Sequence, residues 1–222
     1  MMLAQAKKYR AIVFDLDGTL VKEESSWATV HRYFGVDPRK IRKNMEAYLS
    51  GRIDYCEWMR RDISLWLETK HPIHLSEIEK CLSKYTLVRG AKEVSRELKK
   101  RGYVLAIVTS GLDILAHRVA RDLGIDYVFA NGLAVDEKGF LTGEPICKVP
   151  LLNKNVAIKD LCGILNAKFE EIIAVGDTKF DISMFKCAGL SIALNPKDEE
   201  VVQFADIVIR CEDMRSLLNY IS

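Results

Sequence analysis

The stretch Tyr9–Leu20, which reads YRAIVFDLDGTL, decides the fold of this chain of 222 residues. Its first half is a short apolar run that ends directly at Asp15 and Asp17. A continuous apolar run of this length is typical of a strand that is buried on both faces. Similar runs recur later in the chain, at Tyr103–Val108, Ile172–Val175, Leu190–Leu194 and Ile207–Ile209.

Helical patterns lie between the later runs. Leu115, Val119 and Leu123, for example, recur at the spacing of one face of a helix. Buried strands that alternate with such helices predict an α/β fold, in which a parallel sheet is covered by helices on both faces. The segment Asn131–Pro145 alternates instead around Glu137–Gly139, which predicts a β-hairpin.

The interval between the first two apolar runs breaks this alternation. It contains no convincing strand, and its apolar residues recur at helical spacing, as they do over Tyr55–Leu67. All 3 tryptophans of the chain lie in this interval. We therefore predict two domains: a small helical cap with its own hydrophobic core over residues 21–86, and a main domain formed by residues 1–20 and 87–222.

The composition excludes several classes of protein. With 49% hydrophobic and 29% charged residues, the chain can bury a sizeable core, and a net charge of +2 argues against a dedicated nucleic-acid or membrane-surface protein. The 6 cysteines form no C-x-x-C pair, and a chain of this size needs no disulfide framework. The first ten residues lack the apolar region of a signal peptide, and no run of about 18 apolar residues occurs. We expect a cytoplasmic protein.

Carboxylates follow two of the predicted strands, Asp15 and Asp17 after the first and Asp177 after a later one. The carboxyl ends of parallel strands share one edge of a sheet, where α/β folds bind ligands, so we expect these side chains to converge. Carboxylates this close repel one another unless a cation lies between them, and hard oxygen ligands suit Mg2+. The alternatives are an Asp-rich turn after the first strand and a helix cap formed by Asp177 and Asp181.

Groups that suit an anion lie at the same edge. Thr109, Ser110 and Gly111 follow another predicted strand and offer a hydroxyl and backbone N–H groups, which can hold phosphate oxygens. A simple turn is the alternative. Lys154 opens a predicted helix, and its ammonium would neutralise the carboxylates or a phosphate. Two nearby lysines compete for this role, Lys148 and Lys159.

Taken in order, the segments FDLDGTL, VTSG and GDTKFD, with Lys154 before the last, resemble the motifs of the haloacid dehalogenase superfamily. The helical interval resembles the C1-type cap of that superfamily. The resemblance implies a Rossmann-like, doubly wound parallel sheet with the cap inserted after its first strand. It also implies chemistry through an aspartyl-phosphate. Dehalogenases of the superfamily lack the second aspartate, since a halide needs no proton, so Asp17 indicates a phosphatase.

Within the superfamily, the chain resembles the phosphoserine phosphatase branch over nearly its whole length. The resemblance implies that Asp15 is the nucleophile and Asp17 the acid and base. It further implies that Thr109 binds the phosphoryl group and that Lys154 neutralises its charge. Mg2+ would bind to Asp15, to Asp177 and to the backbone carbonyl of Asp17. Asp181 would support the metal or Lys154.

Two cap residues carry the expected choice of substrate, which is the hydrolysis of L-phosphoserine to L-serine and phosphate. The resemblance implies that Glu24 binds the substrate ammonium and that Arg60 binds its carboxylate. The alternatives are an acid at a helix start for Glu24 and an exposed helix residue for Arg60, with Arg61 placed equally well.

Three residues near the predicted site depart from the branch. Gly18 stands where a serine is usual, Ser110 where a glycine is usual, and Phe180 where an asparagine is usual. These departures leave open a phosphatase of another small phosphorylated metabolite, such as a sugar phosphate. A binding module that kept the fold without the chemistry is the more distant alternative. The sequence gives no indication of an oligomeric state.

Overall fold

The computed structural model describes residues 8–23 and 25–221, and its centre is a sheet of seven strands. The strands are β1 (Ala11–Phe14), β2 (Val104–Leu112), β3 (Tyr127–Val135), β4 (Leu141–Ile146), β5 (Ile172–Gly176), β6 (Leu190–Leu194) and β7 (Ile207–Ile209). Their order across the sheet is β4-β3-β2-β1-β5-β6-β7, and each neighbouring pair is parallel except β3 with β4. The predicted parallel sheet is confirmed, with β1 in its middle.

The side chains of β1 are buried on both faces of the sheet, as its apolar run predicted. Ile12 and Phe14 belong to one buried apolar cluster, while Ala11 and Val13 belong to the other. This division follows from strand geometry, because successive side chains point to opposite faces. All four residues are completely buried.

Four helices follow β1 and form what we call the cap: α1 (Ser26–Tyr33), α2 (Pro38–Leu49), α3 (Tyr55–Thr69) and α4 (Leu75–Cys81). The prediction that the cap has its own core is wrong. Its buried residues Ile63 and Trp66 belong to the same apolar cluster as Ile12 and Phe14 of β1. The cap packs against β2 and β4, so its apolar side extends the buried cluster on that face of the sheet.

Five further helices cover the two faces of the sheet: α5 (Ala91–Lys100), α6 (Asp113–Leu123), α7 (Asn155–Leu165), α8 (Ile182–Phe185) and α9 (Glu199–Gln203). The helices α5 and α6 share the apolar cluster of the cap, whereas α7, α8 and α9 contribute to the cluster on the opposite face. Helices therefore lie on both faces, which confirms the predicted fold class.

The hairpin predicted near Asn131–Pro145 is formed by β3 and β4. These strands pair antiparallel, with Leu133 opposite Pro145. The Asp136 carboxylate accepts hydrogen bonds from the backbone N–H groups of Lys138 and Phe140, both at 2.9 Å, and thereby fixes the turn. Because β4 contacts α3, the hairpin ties the cap to the sheet.

Two general expectations can be compared with the structure. No helix in the described part of the chain has both the length and the apolar character needed to cross a bilayer. All six cysteines carry free thiols in the structure.

Gly189 lies so close to the backbone of Glu170 that a larger residue does not fit. A Cβ atom there would overlap the carbonyl oxygen of Glu170, which the backbone holds in place. We expect Gly189→Ala to lower the free energy of unfolding by about 2 kcal/mol, measured by urea unfolding. The control is Gly163→Ala in α7, where a Cβ atom meets nothing within 4 Å and where alanine favours the helix by up to about 1 kcal/mol. Equal stabilities of the two variants would contradict the expectation.

Candidate active site

The loop after β1 places Asp15 at the edge of the sheet. The backbone N–H of Asp15 donates to the carbonyl oxygen of Val175 at 2.9 Å, which extends the pairing of β1 with β5 by one residue. The chain then turns back at Gly18, whose φ of +84° is readily available only to glycine. Its N–H closes the turn on the carbonyl oxygen of Val21 at 2.9 Å. The Asp15 side chain is 6% exposed and faces inward.

Lys154 joins this loop to the loop after β5. Its Nζ atom lies 2.6 Å from Asp15 Oδ1 and 2.8 Å from Asp181 Oδ1, and its side chain is only 4% exposed. Burial lowers the pKa of the Lys154 ammonium, but the charges of Asp15 and Asp181 together raise it above its ordinary value. The two competing lysines, Lys148 and Lys159, are exposed and make no such contact. Lys154 is therefore the fixed cation of the site.

Three buried carboxylates converge around this cation. Single oxygens of Asp15, Asp177 and Asp181 all lie within 4.8 Å of one another. Burial raises the pKa of Asp15 and of Asp177 above the ordinary value, and repulsion by the Asp181 charge adds to it, although Lys154 opposes the shift at Asp15 and Lys197 opposes it at Asp177. A divalent cation would relieve this repulsion, and an all-oxygen donor set fits Mg2+. The residues thus fit the predicted metal.

Asp177 and Asp181 differ in the hydrogen bonds that their carboxylate oxygens accept. Asp181 accepts from Lys154 with one oxygen and from the backbone N–H groups of Asp177 and Thr178, both at 3.0 Å, with the other. Among the described residues, the Asp177 carboxylate accepts a hydrogen bond from Thr19 Oγ1 at 3.1 Å and forms an ion pair with Lys197 Nζ at 3.1 Å. Asp177 therefore keeps ligand capacity, while Asp181 serves to hold Lys154 and the loop.

Asp17 stands apart from the acidic cluster, although it follows Asp15 by two residues. Its Oδ2 atom accepts a long hydrogen bond from Ser26 Oγ at 3.4 Å, and its buried Oδ1 atom has no donor in the described part of the chain. Burial raises the pKa of Asp17 to about 6, even though the hydrogen bonds from Ser26 lower it. A carboxyl group with this pKa can give and take a proton near neutral pH.

The segment Thr109–Gly111 belongs to the end of β2, not to a turn after it. The Ser110 carbonyl accepts from Trp27 Nε1 at 3.1 Å and from Tyr55 Oη at 2.9 Å, both in the cap, and from Asn131 Nδ2 at 2.9 Å. These bonds hold the strand end in place. The buried Ser110 hydroxyl has no hydrogen-bond partner among the described residues, so it is available to donate to an anion.

A cavity of about 480 Å³ lies above these groups, between the sheet edge and the cap. The predicted residues that line it are Asp15, Asp17, Thr109, Ser110, Gly111 and Lys154. Sequence reasoning missed further lining residues, including Lys197, His31 and Asp62. The sequence could have indicated Lys197 as a site residue, because it follows β6 at the same edge of the sheet. Nothing in the sequence indicates His31 and Asp62, since helical spacing does not predict that two side chains form a buried pair.

The structure describes only one of the two cap residues that the resemblance assigns to the substrate. Glu24 lies outside the described residues. Arg60 does not line the cavity; its guanidinium donates to Glu57 at 2.7 Å and to Glu144 of β4 at 2.9 Å. The Arg60 side chain is 40% exposed, so this arrangement is a surface ion pair between α3 and the hairpin.

A family model describing haloacid dehalogenase-like hydrolases matches residues 9–189. The chain belongs to this family. Among curated relatives, the phosphoserine phosphatase of Methanocaldococcus jannaschii is 37% identical over 97% of this chain and 99% of the relative. The phosphoserine phosphatase of Wolinella succinogenes is 31% identical over 94% of this chain and 98% of the relative.

Solved structures agree with the sequence relatives. A substrate-bound phosphoserine phosphatase superposes with a TM-score of 0.80 at 35% identity and covers 97% of this chain and 100% of its own. A phosphoserine phosphatase with a phospho-aspartyl intermediate analogue gives a TM-score of 0.79 at 36% identity, with the same coverage. The family and the enzyme class predicted from the motifs, a phosphatase, are confirmed.

Proposed function

We propose that this chain hydrolyses small phosphomonoesters, L-phosphoserine among them, through an aspartyl-phosphate on Asp15. The observation that carries the proposal is the position of Lys154, whose ammonium is fixed between Asp15 and Asp181 beneath the cavity. The Ser110 hydroxyl, which no described residue engages, adds a donor for the phosphoryl oxygens. A binding module would have no need to bury a cation among three acids beside one cavity, since each of these charges is costly to bury.

Each residue has a distinct task in the reaction. An Asp15 oxygen bonds to phosphorus while the ester P–O bond breaks, and Asp17 gives its proton to the leaving alkoxide. In the second half, Asp17 takes a proton from water, the water oxygen bonds to phosphorus, and the bond to Asp15 breaks. Lys154 and the hydroxyls of Thr109 and Ser110 offset the charge on the phosphoryl oxygens.

The metal site completes this arrangement. Asp15 and Asp177, with the backbone carbonyl of Asp17, would hold Mg2+, which when bound supplies positive charge beside the phosphoryl group. Keeping the Asp17 side chain away from the metal preserves the proton that it donates, because a bound cation would lower its pKa. Asp181 stays with Lys154.

L-phosphoserine enters the proposal because the relatives that match nearly the whole chain are phosphoserine phosphatases. Another small phosphate, such as a sugar phosphate, is the second candidate, and the departures Gly18, Ser110 and Phe180 favour testing it. A location in the cytoplasm remains a prediction from the sequence.

The test is phosphate release from a panel of phosphometabolites, in the presence of Mg2+ and after its removal with EDTA. We expect release from L-phosphoserine that is at least about tenfold faster with Mg2+, because the three carboxylates need a cation to accept a phosphate beside them. Release from other phosphates, with L-phosphoserine left intact, would support the proposed reaction and reject L-phosphoserine as a substrate. No release from any phosphate would favour the binding module.

The Arg60→Ala variant tests the carboxylate assignment. Because Arg60 is held by Glu57 and Glu144 outside the cavity, we expect kcat/KM for L-phosphoserine to change by less than about twofold. The measurement is steady-state kinetics, with Arg61→Ala as the matched control on the same helix. A selective loss of tenfold or more for Arg60→Ala would instead place this guanidinium on the substrate carboxylate.

A further inference from the structure

The cap wall of the cavity contains a buried acid that the proposed chemistry does not use. Asp62 of α3 lines the cavity, and its side chain is 6% exposed. One carboxylate oxygen accepts from Asn44 Nδ2 at 2.8 Å, and the other lies 3.2 Å from His31 Nε2. A carboxylate has about four acceptor positions, so this one has capacity left for a further donor.

The histidine beside Asp62 does not neutralise it. Trp66 Nε1 can only donate, and it lies 3.0 Å from His31 Nδ1, so that nitrogen must carry a lone pair. The proton of His31 is then on Nε2, where it donates to Asp62, and the imidazole ring is neutral. Since Asn44 is neutral as well, the negative charge of Asp62 has no lysine or arginine partner among the described residues of the cap.

The surroundings of Asp62 suit an organic cation. Trp27, Trp58, Met45 and Met59 also line the cap side of the cavity. Aromatic rings attract cationic groups, most strongly where water is excluded. The group of Asp15, Asp17, Asp177, Asp181 and Lys154 is called the catalytic floor below. In the described part of the chain, the lysines that line the cavity are Lys154 and Lys197, and both pair with acids of this floor.

A substrate carboxylate would find no such support on the cap side. No arginine or lysine of the cap is among the described lining residues, and the unpartnered donor there is the neutral N–H of Trp58. The substrate carboxylate would also lie in the same cavity as the Asp62 carboxylate, and like charges repel strongly where water is scarce.

Resting on the proposed phosphatase activity, we propose that the preferred substrates are phosphomonoesters of alcohols that carry a cationic nitrogen and no carboxylate. The cation would compensate the buried charge of Asp62, which is costly to leave unpaired. Amino-alcohol and quaternary-ammonium phosphates have this chemistry. L-phosphoserine has the ammonium but adds a carboxylate without a partner.

Two matched substrate pairs test the proposal on the wild-type protein with Mg2+. Phosphocholine and 3,3-dimethylbutyl phosphate have the same shape and differ only in the charged nitrogen. We expect kcat/KM to be about tenfold higher for phosphocholine. Phosphoethanolamine and L-phosphoserine differ only in the carboxylate, and we expect the first to be the better substrate. A ratio near one in the first pair, or a preference for L-phosphoserine in the second, would overturn the proposal.

The variant Asp62→Asn assigns the effect to this residue. It keeps the shape of the side chain, and we expect the ratio of phosphocholine to 3,3-dimethylbutyl phosphate to fall to about two or below. The control is Glu68→Gln, which removes an exposed acid of the same helix and should leave the ratio unchanged. An unchanged ratio in Asp62→Asn would reject the role of Asp62.

A third substrate separates the two proposals. Hydrolysis of p-nitrophenyl phosphate requires the catalytic floor but no cation in the cap. If the wild type hydrolyses it and both substrate pairs give ratios near one, the inference fails while the proposed function stands. If neither it nor any member of the two substrate pairs is hydrolysed, the proposed function itself fails. Hydrolysis of p-nitrophenyl phosphate also reports whether Asp62→Asn is folded. The two substrate ratios are measured on the wild type, so they do not depend on the folding of a variant.

Discussion

The Asp15→Asn variant is expected to lose at least about 10⁴-fold in kcat for every phosphomonoester that the wild type hydrolyses. An amide is a poor nucleophile, and no other described carboxylate occupies the position of Asp15, which is fixed by its backbone bond to Val175 and by Lys154. Asn keeps the shape of the side chain, so circular dichroism and thermal unfolding should show a folded protein. Phosphate release under saturating substrate provides the measurement.

A matched control and a direct trapping experiment complete this test. Asp160→Asn changes an exposed acid on α7, close in sequence to Lys154, and should retain full activity. Acid quenching of the wild type during turnover of a phosphate-labelled substrate should leave the label on the peptide that contains Asp15. Label on another peptide, or substantial activity in Asp15→Asn, would show that a different group attacks phosphorus.

The catalytic floor could be predicted from the sequence because strand ends are encoded locally. The apolar runs ending before Asp15 and Asp177 predict buried parallel strands, and the neighbouring positions of β1 and β5 then bring the two acids together. The choice of Lys154 over Lys148 and Lys159 came from the resemblance of the motifs, since all three are near in sequence. Only the structure shows that Lys154 alone among them is buried.

The cap could be predicted as helical but not in its contacts. Helical spacing shows which residues of α3 share a face, yet it does not show what that face meets. The resemblance assigns Arg60 to the substrate, while the fold directs its guanidinium to Glu144 of β4. Asp62, two residues later, faces the cavity instead. Contacts between residues far apart in sequence depend on how the cap packs on the sheet. A local sequence pattern does not predict that packing.

The Asp17→Asn variant is expected to separate the two halves of the reaction. For an alkyl phosphate, the first half needs the proton of Asp17, so single-turnover cleavage should slow by about 10² to 10⁴-fold. For p-nitrophenyl phosphate, the leaving group departs without a proton, and the variant should release about one nitrophenolate per site before it stalls. The stall follows because no base then activates water against the phosphorylated Asp15. Stopped-flow absorbance measures the burst, with Asp113→Asn, a partly buried acid outside the set of cavity-lining residues, as the control. Equal slowing of the first half for both substrates would mean that Asp17 shapes the site and does not transfer the proton.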